Sequence, residues 1–543
     1  MAFRGRWSAL ALAPALILTG VDARATEPEP ALSLPRGIHL GKNGRYYQDQ
    51  CDHSRHRHCM AMRLLPVTYV PDTGRSPDNG NAGPSGECAC NNENPCGGGE
   101  TAVPEGAMKP VDVLTNYKIP ASSAANGKIV GLVDFPDSTA LSDVNVYRKA
   151  FGIAPLPACP GNGLPVAGGP PCFGSTDELG NVTTNSAVTD CPGADGETAL
   201  DMDMVSAACP DCSILLVGMT SAQSEGGATD IDFVDSAKVA IKLGASAVSI
   251  SFGGQEAIDG PDPMGHDFST PGHIVLAAAG DSGYLDSIAG GTPEWPASAP
   301  DILGVGGTTM KLTGSTYSEV VWDDASEDPP FAGGSGCSSE FATPAFQTTF
   351  LTTHANAFGS CKKRASVDIS AAAEFYAGNF GGGIAEYVTS GSGWQPAVGT
   401  SAATPMVAAI LTRLGLTDAV SADLGWIYTN IAAFNDITSG TNDLMGTCSS
   451  ILCKAGPGWD GPTGVGTPNG EALVAALNPP DAGTEVEGGT TGGDGGAPAN
   501  ADTPTTQKSG CGCRAGASPA LDGLSFIAVA GVLGLAIRRR RRA

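Results

Sequence analysis

The chain has 543 residues, 41% of them hydrophobic, which is enough for one large domain or two ordinary ones with a substantial core. Its formal charge of −26 argues against nucleic acid as a partner, because an acidic surface repels phosphates. The same charge suits an acidic medium, where protonation of carboxylates relieves their mutual repulsion.

The N-terminal segment predicts export. Arg4 and Arg6 precede the apolar run ALALAPALILTG, and Ala23-Arg24-Ala25 offers an A-x-A cleavage site. The apolar run is too short to span a bilayer. We therefore expect residues 1–25 to be a secretory signal peptide.

Residues 26–107 form a cysteine-rich segment in which two interpretations of the motif CDHSRHRHC stay open. Its side chains could bind a metal through Cys51, His53, His56, His58 and Cys59. A Cys51–Cys59 disulfide is favoured, since most of the 16 cysteines of an exported chain should be oxidised. Farther along, Cys448 and Cys453 can close a local loop, whereas spacing does not decide the remaining pairs.

Between residues 108 and 478, apolar strands alternate with helices. The predicted strands are KIVGLVDF, SILLVG, AVSISFGG, HIVLAAAGDSG and ILGVGGT, and the predicted helices are VNVYRKAF, GETALDMDMVSAA, FVDSAKVAIKLG and TSAATPMVAAILTRLG. This alternation indicates an α/β fold with a mostly parallel sheet covered on both faces. In such a sheet, catalytic and ligand-binding residues usually lie in the loops at the carboxyl ends of the strands.

The stretch GTSAATPMVAAI (399–410) is typical of the nucleophile of a subtilisin-like serine peptidase, with Ser401 at the start of a helix. A serine hydroxyl needs a neighbouring base to take its proton. The usual base is histidine, but none of the seven histidines lies in an HGTH-type stretch. A different base is therefore required.

A pair of carboxylates on one predicted helix offers that base. Glu197 and Asp201 are four residues apart, which places both on the same helical face. Such spacing alone is common on surface helices, but these two residues lie among apolar ones. Adjacent carboxylates in a partly buried site have widely separated pKa values, and one of them becomes a useful base.

Five motifs, in order, resemble the sedolisin or serine-carboxyl peptidase family over about residues 108–477: DGETALDMDMVSAACPDCSILLV, AAAGDSG, PEWPASAPDILGVGGT, GTSAATP and NDITSGTND…AGPGWDGPTGVGTPNG. The resemblance implies a subtilisin-like three-layer fold. It implies Ser401 as nucleophile and Glu197 as general base and then acid. It also implies that Asp201 orients Glu197 and that Asp281 lines the oxyanion hole. A carboxyl donates a hydrogen bond only while protonated, so such a site works in acid.

The resemblance also implies one structural Ca²⁺ ion. Its ligands would be carboxylates and backbone carbonyls from the segments NDIT and AGPGWD: Asp436, Ile437, Gly456, Gly458 and Asp460. These are the hard oxygen donors that calcium requires, and glycines let a loop turn its carbonyls inward.

The sequence departs from the family in three places. The segment 26–107 does not resemble the large pro-domain of the family, so we expect a truncated or atypical pro-region and leave open whether it is removed or inhibits. Kumamolisin-like members have a tryptophan where this chain has Phe252, and a glutamate where it has Asp134. Both changes could alter the pKa of Glu197.

The C-terminal region predicts attachment to a membrane. Residues 479–510 form a low-complexity linker too polar to bury a core. Residues 511–543 contain CGC, an apolar segment and five arginines, Arg538–Arg542, which the positive-inside rule places on the cytoplasmic side. This combination resembles the sorting tails of myxobacterial surface proteins, with a plain membrane anchor as the alternative.

These features predict an exported, secreted or cell-surface peptidase, monomeric, that acts on proteins or peptides as an endopeptidase or in a tripeptidyl-peptidase mode. An aspartic peptidase would use the triplets at Asp72 and Asp281, but Asp72 lies in a polar loop and the α/β alternation contradicts the all-β fold of that class. The second alternative is a catalytically silent surface binding protein on the same fold.

Overall fold

The computed structural model describes residues 38–40, 46–49, 58–59, 61–64, 101–183, 192–219, 230–256, 268–286, 291–324, 330–378, 380–389 and 393–479. These residues belong to one compact unit that extends to Ala482. The predicted signal peptide, the linker after residue 479 and the tail lie outside the described residues, as do most of the CDHSRHRHC motif and all of 65–100.

Helices and strands alternate through most of this unit. The helices are Pro110–Asn116 (α1), Ala140–Ala150 (α2), Pro192–Ala208 (α3), Asp230–Lys242 (α4), Ala345–Thr353 (α5), Thr400–Arg413 (α6), Thr417–Ala422 (α7), Trp426–Thr429 (α8) and Gly470–Leu477 (α9), with a 3-10 turn at Ile431–Ala433. The strands are Ile38–Leu40 (β1), Tyr46–Asp49 (β2), His58–Cys59 (β3), Met62–Leu64 (β4), Ile129–Asp134 (β5), Phe173–Asp177 (β6), Ser213–Gly218 (β7), Ala245–Ile250 (β8), Phe252–Gln255 (β9), Ile274–Ala278 (β10), Ser282–Tyr284 (β11), Glu294–Trp295 (β12), Leu303–Thr313 (β13), Thr316–Val321 (β14), Asp323–Asp324 (β15), Phe331–Ala342 (β16), Lys363–Ser366 (β17), Ile369–Ala377 (β18), Phe380–Gly381 (β19), Ile384–Val388 (β20), Gly393–Val398 (β21), Phe434–Asn435 (β22) and Thr467–Pro468 (β23).

The central sheet has the strand order β19-β18-β13-β10-β8-β5-β7-β6, with β14 paired to β13. The six contacts from β18 to β6 are parallel, and only β19 and β14 pair in antiparallel fashion. The predicted mostly parallel sheet is therefore confirmed. The stretch AVSISFGG is not one strand, because Ser251 interrupts it between β8 and β9.

The sheet is the middle of three layers. Along β5, Val130 and Leu132 join the hydrophobic core shared with α3 and α6, whereas Ile129 and Val133 join the core shared with α4. Alternate residues of a strand point to opposite faces, so a strand buried on both sides needs apolar residues throughout. The predicted three-layer α/β fold is confirmed.

The parallel arrangement brings the ends of three neighbouring strands together. β5 ends at Asp134, β8 is followed by Ser251, and β10 is followed within three residues by Asp281. The helix α6, which begins at Thr400, packs against β8, β10 and β13. All these positions lie at the carboxyl edge of the sheet, where α/β proteins place their ligands.

A second sheet joins the N-terminal region to the domain. Its strand order is β1-β2-β4-β21-β20, and every pairing is antiparallel. In a further small sheet, β3 pairs with β9. Residues of the cysteine-rich segment thus pair with strands of the large domain.

Four disulfides lie in the described part of the chain: Cys159–Cys172, Cys209–Cys212, Cys337–Cys361 and Cys448–Cys453. The last is the local loop closure predicted from spacing, and it is confirmed. No helix among the described residues is long and apolar enough to cross a membrane.

Candidate active site

The helix α3 carries both predicted carboxylates into the interior. Glu197 and Asp201 are fully buried, and they lie one turn apart on the side of α3 toward α6 and the sheet. Asp195 in the first turn of α3 places a negative charge where the helix dipole favours it. The Cys209–Cys212 disulfide follows the last turn and leads directly into β7.

The predicted nucleophile, Ser401, lies in the first turn of α6. The helix follows Gly399, whose φ of +143° is a backbone conformation that side-chain-bearing residues rarely adopt. Pro405 has no N–H, so it cannot donate to the carbonyl of Ser401 as the helix pattern would require. The hydroxyl of Ser251 approaches that carbonyl at 3.4 Å instead.

Ser251 connects the carboxylates to the nucleophile. Its hydroxyl donates to Asp201 Oδ1 at 2.8 Å, and its carbonyl accepts a hydrogen bond from Ser401 Oγ at 3.2 Å. Sequence reasoning missed this residue. The signal that could have found it is a polar side chain at the carboxyl end of an apolar strand, in AVSISFGG.

Asp281 is held against the nucleophile turn. Its Oδ1 accepts hydrogen bonds from the backbone N–H and the hydroxyl of Thr400, both at 2.9 Å. Gly280, beside it, has a φ of +101°, and a Cβ there would lie 2.2 Å from Glu294 Oε1. The carboxyl of Asp281, 4% exposed, is therefore fixed beside the residue that precedes Ser401.

The electrostatics of the site converge on Glu197. Burial and then the charge of Asp201 raise the pKa of Glu197 well above its usual value. The charges of Asp134 and Asp281 act in the same direction. Hydrogen bonding with Ser401 lowers the pKa of Glu197. The hydroxyl of Ser401 donates to the carbonyl of Ser251 at 3.2 Å. Burial likewise raises the pKa of Asp201.

The two departures from the kumamolisin-like pattern lie beside this site. Asp134 is fully buried at the end of β5, and burial followed by the charge of Asp201 raises its pKa. Phe252 packs edge-to-face on Phe135 with ring centroids 5.2 Å apart. A phenylalanine ring has no N–H to donate to a neighbouring carboxylate, whereas the backbone N–H of Phe135 donates to Asp134 Oδ1 at 2.7 Å.

The predicted calcium ligands come together in one loop region. Asp436 Oδ2 accepts the N–H of Gly458 at 3.1 Å, and Asp460 Oδ2 accepts that of Gly456 at 3.0 Å. Asp460 is buried, and burial, with a smaller contribution from Asp436, raises its pKa to about 7. Ile437, the remaining predicted ligand, is 4% exposed. The described residues contain no group of three or more His, Cys, Asp or Glu side chains placed to hold a metal, so an ion here would need backbone carbonyls. The donor set fits a hard cation.

The comparisons with known proteins point to one class. A model of the subtilase family of peptidases matches residues 181–416. Kumamolisin from Bacillus sp. (strain MN-32) is 27% identical over 405 residues, which cover 70% of this chain and 65% of that protein. Sedolisin from Pseudomonas sp. (strain 101) is 25% identical over 385 residues, 66% of this chain and 59% of that protein. The chain therefore spans less than two thirds of the length of either relative.

A solved structure gives the same result for the fold. Pseudomonas sedolisin, a serine-carboxyl proteinase complexed with two molecules of pseudo-iodotyrostatin, superposes with a TM-score of 0.52 at 23% identity, covering 70% of this chain and 99% of that one. The fold is thus the subtilisin-like fold of serine peptidases. Within that class, the relatives support the sedolisin family for this chain.

Proposed function

We propose that this protein is an exported serine-carboxyl peptidase that cleaves proteins or peptides in acid, as an endopeptidase or by releasing tripeptides. The observation that carries the proposal is the convergence of Ser401, Glu197 and Asp201 in one buried site in which neither of the two described histidine side chains takes part. The two described histidine side chains make contacts elsewhere, His273 with the carbonyl of Ala245 and His354 with the ring of Phe350.

The proposed reaction begins at Ser401. Its hydroxyl attacks the scissile carbonyl while Glu197 accepts the proton. Asp201 orients Glu197 and shares one proton with it, so Glu197 can act as the base while that proton lies on Asp201. Glu197 then gives the proton it took from Ser401 to the amine as the peptide bond breaks, and the acyl group remains as an ester on Ser401. Water attacks the ester while Glu197 takes a proton from it, and Glu197 returns that proton to Ser401 as the acid product departs.

Asp281 is proposed to stabilise the oxyanion. Its Oδ1 already accepts two hydrogen bonds from Thr400, so Oδ2 is the oxygen that would carry a proton. A neutral carboxyl can donate that proton to the oxyanion, whereas an ionised one would repel it. Activity should therefore be greatest in acid, where carboxyl groups are protonated.

Acid-dependent cleavage tests this proposal. The exported protein is incubated with an unfolded protein substrate from about pH 3 to about pH 8, beside Ser401→Ala. We expect cleavage that is greatest in acid and is abolished in the variant. Absence of cleavage at every pH, or equal cleavage by the variant, would favour the silent binding protein instead.

We also propose that one Ca²⁺ ion stabilises the loops that carry Asp436 and Asp460. The carboxylates of these two residues and the carbonyls of Ile437, Gly456 and Gly458 would hold it. A ligand that binds only the folded state stabilises it by mass action, by about 2.7 kcal/mol at a hundredfold excess over Kd.

Removal of calcium is therefore expected to lower the melting temperature by several degrees. The measurement is a thermal melt with chelator, with excess Ca²⁺, and with Mg²⁺ as the control ion. Asp436→Asn should melt like the chelated wild type and should not respond to Ca²⁺. Identical melts of the wild type with chelator and with Ca²⁺ would refute the site.

The remaining proposals concern location and assembly. We propose export through residues 1–25, surface attachment through residues 511–543, and a monomeric state. The basic and apolar segment before Ala25 supports export, and the apolar segment followed by Arg538–Arg542 supports attachment.

A further inference from the structure

The carbonyl of Ala373, on β18, supports the turn that carries the nucleophile. The backbone N–H of Gly399 donates to this carbonyl at 2.9 Å. Gly399 directly precedes the first turn of α6, and Ser401 lies in that turn. The position of Ser401 therefore depends on where β18 presents the carbonyl of Ala373.

The strand β18 is irregular at this residue. In its parallel pairing with β13, Thr308 is opposite Ala372 and Thr309 is opposite Glu374, so Ala373 is left over in the register. An extra residue of this kind is a β-bulge, which bends the strand and changes the direction of local groups, and bulges are frequent next to active sites. Here the bulged residue is the one whose carbonyl accepts the N–H at the nucleophile turn.

A side chain from outside the sheet holds the residue before the bulge. The N–H of Ala372 donates to the hydroxyl of Tyr117 at 2.8 Å. Two residues earlier on the same strand, the N–H of Ser370 donates to the carbonyl of Gly466. Because N–H groups two residues apart on a strand point the same way, both lie on the side of β18 that faces away from β13. Tyr117 thus supplies the acceptor that a neighbouring strand would otherwise provide.

The hydroxyl of Tyr117 is itself fixed by a buried carboxylate. Tyr117 is fully buried, and its hydroxyl donates to Glu319 Oε1 at 3.0 Å. Oε1 also accepts the hydroxyl of Thr308 at 2.8 Å. Oε2 accepts Asn116 Nδ2 at 3.1 Å and the hydroxyl of Thr467 at 2.9 Å. Four donors hold the carboxylate in place, so the hydroxyl that binds to it has little freedom to move.

We propose that Tyr117 is a positioning residue for the peptidase reaction. Its hydroxyl fixes Ala372, and this contact sets where the carbonyl of Ala373 lies. That carbonyl in turn holds Gly399 and, through it, Ser401. The proposal rests on the proposed peptidase function and adds to it a residue that acts on the nucleophile through the backbone of β18.

The substitution Tyr117→Phe tests this role, since it keeps the ring and removes the hydroxyl. The N–H of Ala372 then has lost its acceptor, and the bulge can shift. A displacement of a reacting group by about 1 Å can cost about 10²-fold in rate, so kcat for a peptide that the wild type cleaves in acid should fall at least about tenfold. KM should stay within about twofold, because the change is expected to remove no contact with the substrate.

Tyr428→Phe is the matched control. Tyr428 is also buried, at 2% exposed, and its hydroxyl donates to Asp368 Oδ1 at 2.6 Å and accepts from Gln347 Nε2 at 3.1 Å. Asp368 precedes the first residue of β18, at the end of the strand far from the bulge. Both variants should lower the melting temperature, whereas Tyr428→Phe should keep the kcat of the wild type. Each variant is assayed well below its own melting temperature.

Hydrogen exchange measures the contact without catalysis. In a Ser401→Ala background, the N–H of Gly399 should exchange at least about tenfold faster after Tyr117→Phe, relative to the amides of β5, which report global opening. Tyr428→Phe should leave this ratio unchanged. Glu319→Gln is a milder second variant, because glutamine has one acceptor oxygen for four donors and holds the tyrosine hydroxyl less firmly. It should act in the same direction, by a smaller factor, if Tyr117→Phe does not fold.

The outcomes separate this proposal from the proposed function. Unchanged exchange of Gly399 would overturn the support of the nucleophile turn by Tyr117, whatever the kinetics. Faster exchange with an unchanged kcat would show that the contact does not serve the reaction, and an equal loss of kcat in Tyr428→Phe would reduce the effect to general stability; either result overturns the positioning role. Absence of cleavage by the wild type at every pH would refute the peptidase function, and the exchange of Gly399 would still decide whether Tyr117 supports the turn.

Discussion

Replacing Glu197 by Gln is expected to lower kcat/KM for peptide cleavage in acid by about 10²- to 10⁴-fold, since general acid–base catalysis contributes effects of this size. Glutamine has nearly the same shape but cannot accept the proton of Ser401. The fold should remain intact. Burial raises the pKa of Glu197, so ionising it has a cost that Gln avoids, and the melting temperature near neutral pH should be equal or higher.

Asp203→Asn is the matched control for this experiment. Asp203 lies on the same helix, is fully buried, and has a pKa that burial raises, but it accepts the N–H of Tyr387 at 3.0 Å. Asn retains an oxygen for that hydrogen bond, so its activity should stay close to that of the wild type. An equal loss of activity in both variants would mean that any change in α3 disturbs the site. That result would contradict the assignment of Glu197 as the base.

The second large effect is on stability, which should be greatest in acid and fall as the pH rises. Burial raises the pKa values of carboxyls in the folded chain, among them Glu197, Asp201, Glu319 and Glu374. For Asp137 the pKa rises from 3.8 to about 7. A raised pKa means that the folded state binds more protons than the unfolded one. The stabilising contribution is complete below the unfolded pKa and is lost as the pH passes the folded pKa.

For Asp137 this loss falls between about pH 4 and pH 7, and it amounts to about 1.4 kcal/mol per pH unit at most. We expect the melting temperature of Ser401→Ala, which cannot digest itself, to fall steadily over this interval. The measurement is scanning calorimetry at constant ionic strength. A maximum at neutral pH would contradict the expectation.

Glu374→Gln isolates one of these carboxyls. Glu374 is buried, and Thr309 donates to its Oε2 at 2.9 Å. Burial and the charge of Asp324 raise its pKa. Glutamine keeps an acceptor for Thr309 and never ionises, so the variant should gain more stability at high pH than at low pH, and its melting temperature should depend less on pH.

The parallel part of the fold could be predicted from sequence because its strands are continuous apolar runs, such as IVGLVD in β5 and SILLVG in β7. The same runs mark strands buried on both faces. No prediction was possible for β16, FAGGSGCSSEFA, because its glycines and serines carry no periodic pattern. Its pairing with β11, β15 and β17 depends on tertiary contacts.

The site was predictable in part. The motif around Ser401 and the spacing of Glu197 and Asp201 are local signals, although the spacing alone does not distinguish a buried pair from a solvated one. The role of Ser251 is non-local, since its partners lie on two helices that only the fold brings together. The pairings of β3 with β9 and of β4 with β21 are non-local for the same reason.

Pro405 lies in α6, the helix that carries Ser401, and it has no N–H to donate. It cannot donate to the carbonyl of Ser401. The hydroxyl of Ser251, between β8 and β9, lies 3.4 Å from that carbonyl and donates to Asp201 Oδ1 at 2.8 Å. Ser401 and Asp201 thus both make hydrogen bonds with the same residue, Ser251. Replacing Ser251 should therefore change the surroundings of Ser401 and of Asp201 at the same time.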